Sequence, residues 1–213
     1  MPRAVLLDWD DTLVDNWASI HAAMNATLAA MGLAPWSLEQ TRRQAKQSLR
    51  DSFPGIFGAR WEEARDVFYR NFAAGHLAGL RPLPGADELL AALFEADFFL
   101  GVVSNKTGAY LRREAAHLGW DRYFGALVGA TDAPEDKPKP APVMLALRPS
   151  GISPGPEVWF VGDGPVDVDC ARRSGCLAVL VRPEPPSAEE FGALMPDRHV
   201  ATLVELRRLL HRT

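Results

Sequence analysis

Five short, nearly continuous apolar runs constrain the fold of this chain most, because most of them stop at a polar cluster. They lie at residues 4–7, 98–103, 126–128, 158–161 and 177–181. Such runs suit strands that are buried on both faces, as in a parallel sheet covered by helices. Helical patterns lie between them, at residues 87–96, 108–118, 141–147 and 166–174. The alternation predicts an α/β fold with a doubly wound, Rossmann-like parallel sheet.

One interval breaks this alternation, because residues 16–81 contain helical patterns and no good strand. Helices are predicted there at 17–31, 38–49 and 61–74, with the turn-forming sequences PWS (35–37) and FPGIFG (53–58) between them. The chain re-enters the sheet at PLPG, residues 82–85. We therefore predict an α/β core formed by residues 1–15 and 82–213, with an inserted all-helical subdomain at 16–81.

The size and charge of the chain argue against several classes of function. Its 213 residues suffice for one sizeable core and a small satellite domain, and the net charge of −4 does not favour nucleic acid or anionic membranes. No apolar stretch suits a signal peptide or a membrane span. Cys170 and Cys176 show no disulfide or zinc pattern, which suits buried thiols in a reducing cytosol. We expect a cytoplasmic protein that binds neither nucleic acid nor membranes, monomeric by default with a dimer as the alternative.

Four polar clusters follow the predicted strands, where open α/β sheets bind their ligands. The first is DWDDTLVD, residues 8–15, in which Asp8 and Asp10 share one face of an extended segment. Two carboxylates this close can share Mg²⁺, and one can attack phosphorus while the other transfers protons. The alternative is an acidic turn that caps a helix through Asp11 or Thr12.

Two further clusters could hold a phosphate group. Ser104 and Asn105 offer a hydroxyl and backbone amides just before a helix, unless one of them merely caps that helix. Lys137, in KPKPAP at residues 137–142, is one of only four lysines. Its ammonium could neutralise a transferring phosphoryl group as a point charge, and the alternative is a solvated loop before a helix.

The fourth cluster is GDGPVD, residues 162–167, in which an aspartate, Asp163, follows the end of a predicted buried strand. Asp163 needs a partner for its charge, and one helical turn would bring Asp167 beside the same site. The alternative is compensation of a helix dipole, which suits Asp167 better than Asp163. Each cluster is a weak signal by itself. Together, at the ends of different strands, they supply a nucleophile, an acid/base, phosphate donors, a cation and metal ligands.

In combination, the motifs resemble those of the haloacid dehalogenase-like phosphatases. DWDDTLVD, VVSNK, KPKPAP and VGDGPVDVDCA occur in that family's order and approximate spacing over essentially the whole chain. The likeness is greatest to phosphoglycolate phosphatase-like members with a helical cap, here residues 16–81. It implies a Mg²⁺-dependent phosphomonoester hydrolase that acts on a small phosphorylated metabolite through an aspartyl-phosphate.

The resemblance also implies roles for the four aspartates. Asp8 would be the nucleophile and a magnesium ligand. Asp10 would be the general acid/base and would give the metal its backbone carbonyl. Asp163 would bind the metal directly, and Asp167 would bind it through water or anchor Lys137.

For the phosphate side, the resemblance assigns the phosphoryl oxygens to Ser104 and the backbone of Asn105. Lys137 fits the K-P-x-P pattern better than Lys139 and would offset charge on Asp8 and the phosphate. Two positions depart from the common family pattern, namely Asp11, often glycine, and Gly164, often serine. The helical insertion offers basic side chains for substrate contact, although a solvated helix face explains most of them: Arg42, Arg43, Lys46, Arg50 and His76.

Three rival functions remain at this stage. A dehalogenase would use the same nucleophile but needs no metal clamp, and Asp10, Asp163 and Asp167 argue against it. A phosphosugar mutase would keep the same core residues. A non-catalytic binding protein would usually have lost one of them, and none is missing.

Overall fold

The chain forms two compact units in a computed structural model that describes residues 2–45 and 47–211. The first unit combines the N-terminal segment up to Val14 with the chain from Pro82 onward, and the second is Asp15–Arg81. Within the described ranges, none of the helices combines the length and apolar character that a bilayer crossing demands. That the two units act as a catalytic core and a cap stays a prediction.

The strands of the described residues contribute to two sheets. In chain order they are β1 (Ala4–Leu7), β2 (Val14–Asp15), β3 (Arg81–Pro82), β4 (Phe99–Thr107), β5 (Ala126–Ala130), β6 (Val158–Gly162), β7 (Leu177–Val181) and β8 (Arg198–Val200). Strands β2 and β3 pair with each other, and the others form a sheet in the order β5-β4-β1-β6-β7-β8. Every adjacent pair in this larger sheet is parallel. The predicted doubly wound parallel sheet is confirmed.

The order of the strands reverses at β1, the central strand. The chain builds β4 and β5 on one side of β1, and then β6, β7 and β8 on the other. Leu7 at the end of β1 pairs with Val102 of β4 and with Val161 of β6. The carboxyl ends of these three strands therefore lie next to one another, at the kind of switch point where α/β sheets bind ligands.

Helices cover the sheet and make up most of the second unit. Among the described residues they are α1 (Trp17–Ala30), α2 (Leu38–Gln44), α3 (Leu49–Phe57), α4 (Trp61–Gly79), α5 (Ala86–Glu95), α6 (Gly108–His117), α7 (Ala141–Leu147), α8 (Pro165–Arg173), α9 (Ala188–Phe191) and α10 (Leu203–His211). All four residues of β1 are buried, as the continuous apolar runs predicted for a sheet packed on both faces. Cys170 and Cys176 are both free and buried, which confirms the prediction of two core-facing thiols.

Three elements that follow β7, namely α9, β8 and α10, had no counterpart in the sequence prediction. Strand β8 is polar and partly exposed, so it lacks the apolar run that marked the inner strands. Helix α10 follows it and buries Leu203, Leu206 and Leu210. An edge strand needs little apolar character because one side of it meets no other strand.

The second unit corrects the prediction for residues 38–58. The expected helix 38–49 ends early, since α2 stops at Gln44, and the sequence FPGIFG, expected to break helices, lies mostly inside α3. Pro54 is tolerated there because Phe53 is fully buried and its ring packs edge-on against Phe57 and Phe68, at 4.8 and 5.9 Å between centroids. Packing here outweighs the helix-breaking tendency of proline and glycine.

Candidate active site

The motif after β1 folds into a tight turn that starts the candidate site. The backbone N–H of Asp8 donates to the carbonyl of Val161 at 2.9 Å, which ties the motif to β6. Beyond it, the N–H of Asp11 donates to the carbonyl of Val14 at 2.9 Å, and Asp11 has a φ of +60°. Aspartate tolerates this left-handed conformation better than most residues other than glycine. Asp11 and Thr12 do not cap a helix, because α1 begins only at Trp17, whose backbone N–H donates to Asp15 Oδ1 at 3.0 Å.

Three carboxylates meet at this edge of the sheet, two directly after strands β1 and β6 and one in the first turn of α8. Asp8, Asp163 and Asp167 each place a carboxylate oxygen within 4.8 Å of the others. Three ionised carboxylates and one ammonium, that of Lys137, leave two negative charges to be offset in a mostly buried place. Oxygen ligands with this excess charge fit a hard divalent cation such as Mg²⁺.

Lys137 holds two of these carboxylates together. Its Nζ lies 2.7 Å from Asp8 Oδ1 and 2.7 Å from Asp167 Oδ1, and its side chain is only 1% exposed. Burial works to lower the pKa of Lys137, but the carboxylates of Asp167 and Asp8 outweigh it and raise the pKa above its ordinary value. The lysine therefore stays charged, and the alternative of a solvated loop is wrong for its side chain.

Asp167 has two structural partners. Its Oδ1 accepts from Lys137, and its Oδ2 accepts from the backbone N–H of Gly164 at 3.1 Å, which caps the start of α8. Burial raises the pKa of Asp167, although Lys137 opposes that shift. Gly162 makes room for this side chain, since a Cβ there would lie 2.3 Å from the Asp167 carboxyl carbon. Helix capping and anchoring of the lysine thus occur together.

The Ser104 cluster lies in an irregular stretch of β4. Val103 pairs with Val128 and Thr107 with Ala130, so β4 carries two extra residues that bulge out of the ladder. The hydroxyl of Ser104, which is 5% exposed, accepts from the backbone N–H of Lys106 at 3.1 Å. The helix-cap alternative is wrong, because α6 begins at Gly108 and its N-cap is Thr107.

Asn105 links this bulge to the lysine loop. Its side-chain amide donates to the backbone carbonyl of Lys137 at 3.3 Å. The sequence pattern assigned only the backbone of Asn105 a role. The hydrogen bond brings the bulge of β4 and the segment before α7 into contact at the carboxylate cluster.

A second lysine, which had no predicted role, contacts Asp10. Lys106 Nζ lies 2.9 Å from Asp10 Oδ1 and 2.8 Å from Glu114 Oε2. Burial raises the pKa of Asp10 to about 7, with Lys106 lowering it and Glu114 and Asp8 raising it. Glu114 could have been noticed in the sequence, because it lies three residues after Leu111 on the apolar face of α6, where a carboxylate needs a partner.

The basic residues that the sequence offered as possible substrate contacts differ in their burial. Arg42 and Arg43 are exposed on α2, and the Arg42 guanidinium lies over the Trp17 ring at 5.4 Å. His76 is fully buried and stacks on Phe72 at 5.0 Å between ring centroids, so a solvated helix face does not describe it. Lys46 lies outside the described residues. Arg50 is partly exposed.

Comparison with known proteins places this geometry in a family. A family model described as haloacid dehalogenase-like hydrolase matches residues 5–181. A phosphoglycolate phosphatase of Xylella fastidiosa is 33% identical over 183 residues, which cover 84% of this chain and 80% of the relative. An N-acetylmuramic acid 6-phosphate phosphatase of Pseudomonas aeruginosa is 33% identical over 186 residues, with 84% and 81% covered.

A solved structure agrees with these relatives. A HAD-superfamily hydrolase from Ehrlichia chaffeensis superposes with a TM-score of 0.67 at 27% sequence identity, over 99% of this chain and 97% of that one. The match to the family model spans every predicted site residue, from Asp8 to Asp167. With its parallel sheet, its carboxylate cluster and these relatives, the chain belongs to the haloacid dehalogenase-like hydrolase family.

Proposed function

We propose that this hydrolase is a Mg²⁺-dependent phosphomonoesterase that acts on a small phosphorylated metabolite through an aspartyl-phosphate on Asp8. One observation carries the proposal: three carboxylate oxygens lie within 4.8 Å of one another, and Lys137 Nζ is 2.7 Å from two of the three residues. Such a cluster suits the binding of a divalent cation together with a phosphoryl group. The phosphatase names of the relatives support the same reaction class.

In the proposed reaction, a carboxylate oxygen of Asp8 forms a bond to phosphorus while the bond from phosphorus to the ester oxygen breaks. Asp10 gives its proton to the departing oxygen. Asp10 then takes a proton from water, the water oxygen bonds to phosphorus, and the bond between phosphorus and Asp8 breaks. Phosphate leaves and both carboxyls return to their starting states.

The other residues bind and orient the phosphoryl group. The Lys137 ammonium offsets charge on Asp8 and on the phosphoryl oxygens, and Asp167 holds that ammonium in place. Ser104 and the backbone of Asn105 are proposed to donate to the phosphoryl oxygens. The carboxylates of Asp8, Asp163 and Asp167 and the backbone carbonyl of Asp10 are the groups we expect to hold Mg²⁺. When bound, the ion supplies Lewis-acid polarisation of the phosphoryl oxygens.

The test is phosphate release from a panel of phosphorylated metabolites. The panel includes 2-phosphoglycolate and N-acetylmuramic acid 6-phosphate, the compounds named by the relatives, together with sugar phosphates. We expect release of phosphate from one or more of them with Mg²⁺, loss of activity with EDTA, and recovery when Mg²⁺ is restored. Isomer formation without phosphate release would favour a mutase instead. A cytoplasmic location and a monomeric state remain predictions.

Variants of Asp8 provide the sharpest control. Asp8→Asn keeps the size of the side chain but removes the nucleophilic carboxylate, so turnover should fall on the order of 10³-fold or more. Asp169→Asn is the matched control, because Asp169 pairs at 2.8 Å with Arg173, whose side chain is 50% exposed. Full activity of Asp8→Asn in the presence of Mg²⁺ would refute the assignment.

A further inference from the structure

We propose that Lys106 is a positioning residue that fixes the carboxyl of Asp10 for proton transfer, and that Glu114 and Trp9 hold Lys106 in place. The inference rests on the proposed function, since it concerns the residue to which that function assigns the proton. It adds a group that the four sequence motifs left without a role. Lys106 would act through Asp10 and would not touch the substrate.

The contacts form a chain that runs from the core to the site. The indole Nε1 of Trp9 donates to Glu114 Oε2 at 2.7 Å. Lys106 Nζ donates to Glu114 at 2.8 Å (Oε2) and 3.1 Å (Oε1), and to Asp10 Oδ1 at 2.9 Å. An ammonium has three N–H donors, and these contacts supply three acceptor oxygens. The ammonium is therefore directed at Asp10 by fixed neighbours.

The inner end of this chain is rigid. Trp9 is fully buried, and its ring meets Trp120 edge-on at 5.7 Å and Phe124 at 6.5 Å between centroids. Glu114 is fully buried as well, and the Lys106 side chain is 5% exposed. A lysine in such surroundings has few alternative rotamers that keep its charge paired. Packing thus fixes the position of the Lys106 ammonium. The hydrogen bond from this ammonium then fixes the position of the Asp10 carboxyl.

The energetics explain why such a network would be retained. Burial of a charged lysine and a charged glutamate is unfavourable because both lose their hydration, and a well-packed apolar pair is often as stable or more so. A purely structural pair would also not need a third carboxylate at the edge of the catalytic site. The third partner here is Asp10, whose side chain is 19% exposed and is the open end of the network. The arrangement suits a role in the reaction.

The two buried lysines, Lys106 and Lys137, contact different parts of the site. Lys137 contacts Asp8 and Asp167, on the side of the carboxylate cluster. Lys106 contacts Asp10, on the side of the proposed proton transfer. A lysine that served the phosphoryl group should affect all phosphate esters alike. A lysine that positions the acid should matter only where the leaving oxygen needs a proton.

The test therefore compares leaving groups. We expect Lys106→Met to lower kcat/KM for an alkyl phosphate on the order of 10²-fold, because a misplaced general acid loses most of its contribution. For p-nitrophenyl phosphate, whose leaving group departs without a proton, the loss should stay below roughly fivefold. Glu114→Gln should also lower kcat/KM more for the alkyl phosphate than for p-nitrophenyl phosphate, but by a smaller factor. Lys106→Arg should recover part of the alkyl phosphate activity that Lys106→Met loses.

The controls separate this inference from the function on which it rests. Lys139→Met removes a lysine whose side chain is 51% exposed and should change neither rate constant. Asp10→Asn removes the acid itself, so it shows how much more kcat/KM falls for the alkyl phosphate than for p-nitrophenyl phosphate when the acid is lost. If Asp10→Asn is selective for the alkyl phosphate and the Lys106 variants are not, the positioning role is wrong and the proposed function stands. If Asp10→Asn is itself unselective, the acid role assigned to Asp10 fails.

Two other outcomes would also overturn the positioning role. Equal losses of kcat/KM on both substrates would mean that Lys106 binds the phosphoryl group or only supports the fold. A rise in KM with unchanged kcat would likewise point to ground-state binding. If Lys106→Met does not fold, Lys106→Arg and Glu114→Gln carry the same comparison, and absence of selectivity in both would refute the inference.

Discussion

Removal of Lys137 offers the most informative perturbation of stability. The Nζ of Lys137 makes two contacts at 2.7 Å, each worth roughly 6 kcal/mol at an effective dielectric constant of about 20 before desolvation is subtracted. Lys137→Met would keep the apolar stem and remove the charge. Asp8 and Asp167 would then face each other as mostly buried carboxylates with no ammonium between them.

The net loss of stability in Lys137→Met can be approximated from the behaviour of buried ion pairs in other proteins. Removal of one partner from such a pair costs about 3–5 kcal/mol of unfolding free energy. For a domain of this size, that corresponds to a fall in Tm of about 6–20 °C. Part of the loss should disappear as the pH falls from 8 to 5, because burial raises the pKa of Asp167 and protonation of its carboxyl relieves the repulsion.

The assay is thermal unfolding in EDTA, with and without added Mg²⁺. Mg²⁺ should raise the Tm of Lys137→Met more than that of the wild type, since the cation would replace the missing charge among Asp8, Asp163 and Asp167. Lys139→Met is the matched control and should unfold like the wild type. Equal Tm values for Lys137→Met and wild type in EDTA at pH 8 would refute the electrostatic account of the site.

Two further predictions concern single residues of the site. In metal-free protein, burial raises the pKa of Asp10 from 3.8 to about 7, so the stability it contributes is fully present below pH 3.8 and is lost as the pH rises through 7. Urea unfolding of wild type in EDTA should show this loss, at most ~1.4 kcal/mol per pH unit, and Asp10→Asn should lack it; equal slopes would contradict the prediction. Gly162→Ala would place a Cβ 2.3 Å from the Asp167 carboxyl carbon, so it should cost about 1–3 kcal/mol and lower kcat. Gly155→Ala, with open space around its Cβ, is the control, and identical behaviour of the two variants would disprove the packing argument.

The architecture was largely predictable from hydrophobic patterning. The inner strands are buried on both faces, so their apolar runs stand out in the sequence, whereas the order of the strands was not predicted. Strand β8 lies at the edge of the sheet and carries Arg198 and His199, so the same signal was missing. The helix through Pro54 was missed because tertiary packing of Phe53 decides it, and packing is not readable from local propensity.

The candidate site was predictable where sequence spacing and strand ends place residues together. Asp8, Asp163, Asp167 and Lys137 all follow from motifs at the carboxyl ends of strands, and they lie together in the structure. The Lys106–Glu114 pair was not predicted, because it depends on a bulge in β4 and on a helix face that only the fold brings into contact. A charged residue on an apolar helix face was the one available signal.

The proposed function depends on the role of Asp8 as the nucleophile in phosphoryl transfer. It is tested most directly by rapid acid quench during turnover with Mg²⁺, followed by mass spectrometry of the peptides. We expect a phosphorylated peptide whose modified residue is Asp8, and neither phosphopeptide nor phosphate release from Asp8→Asn. Phosphorylation of a different residue, or phosphate release by Asp8→Asn at the wild-type rate, would contradict it.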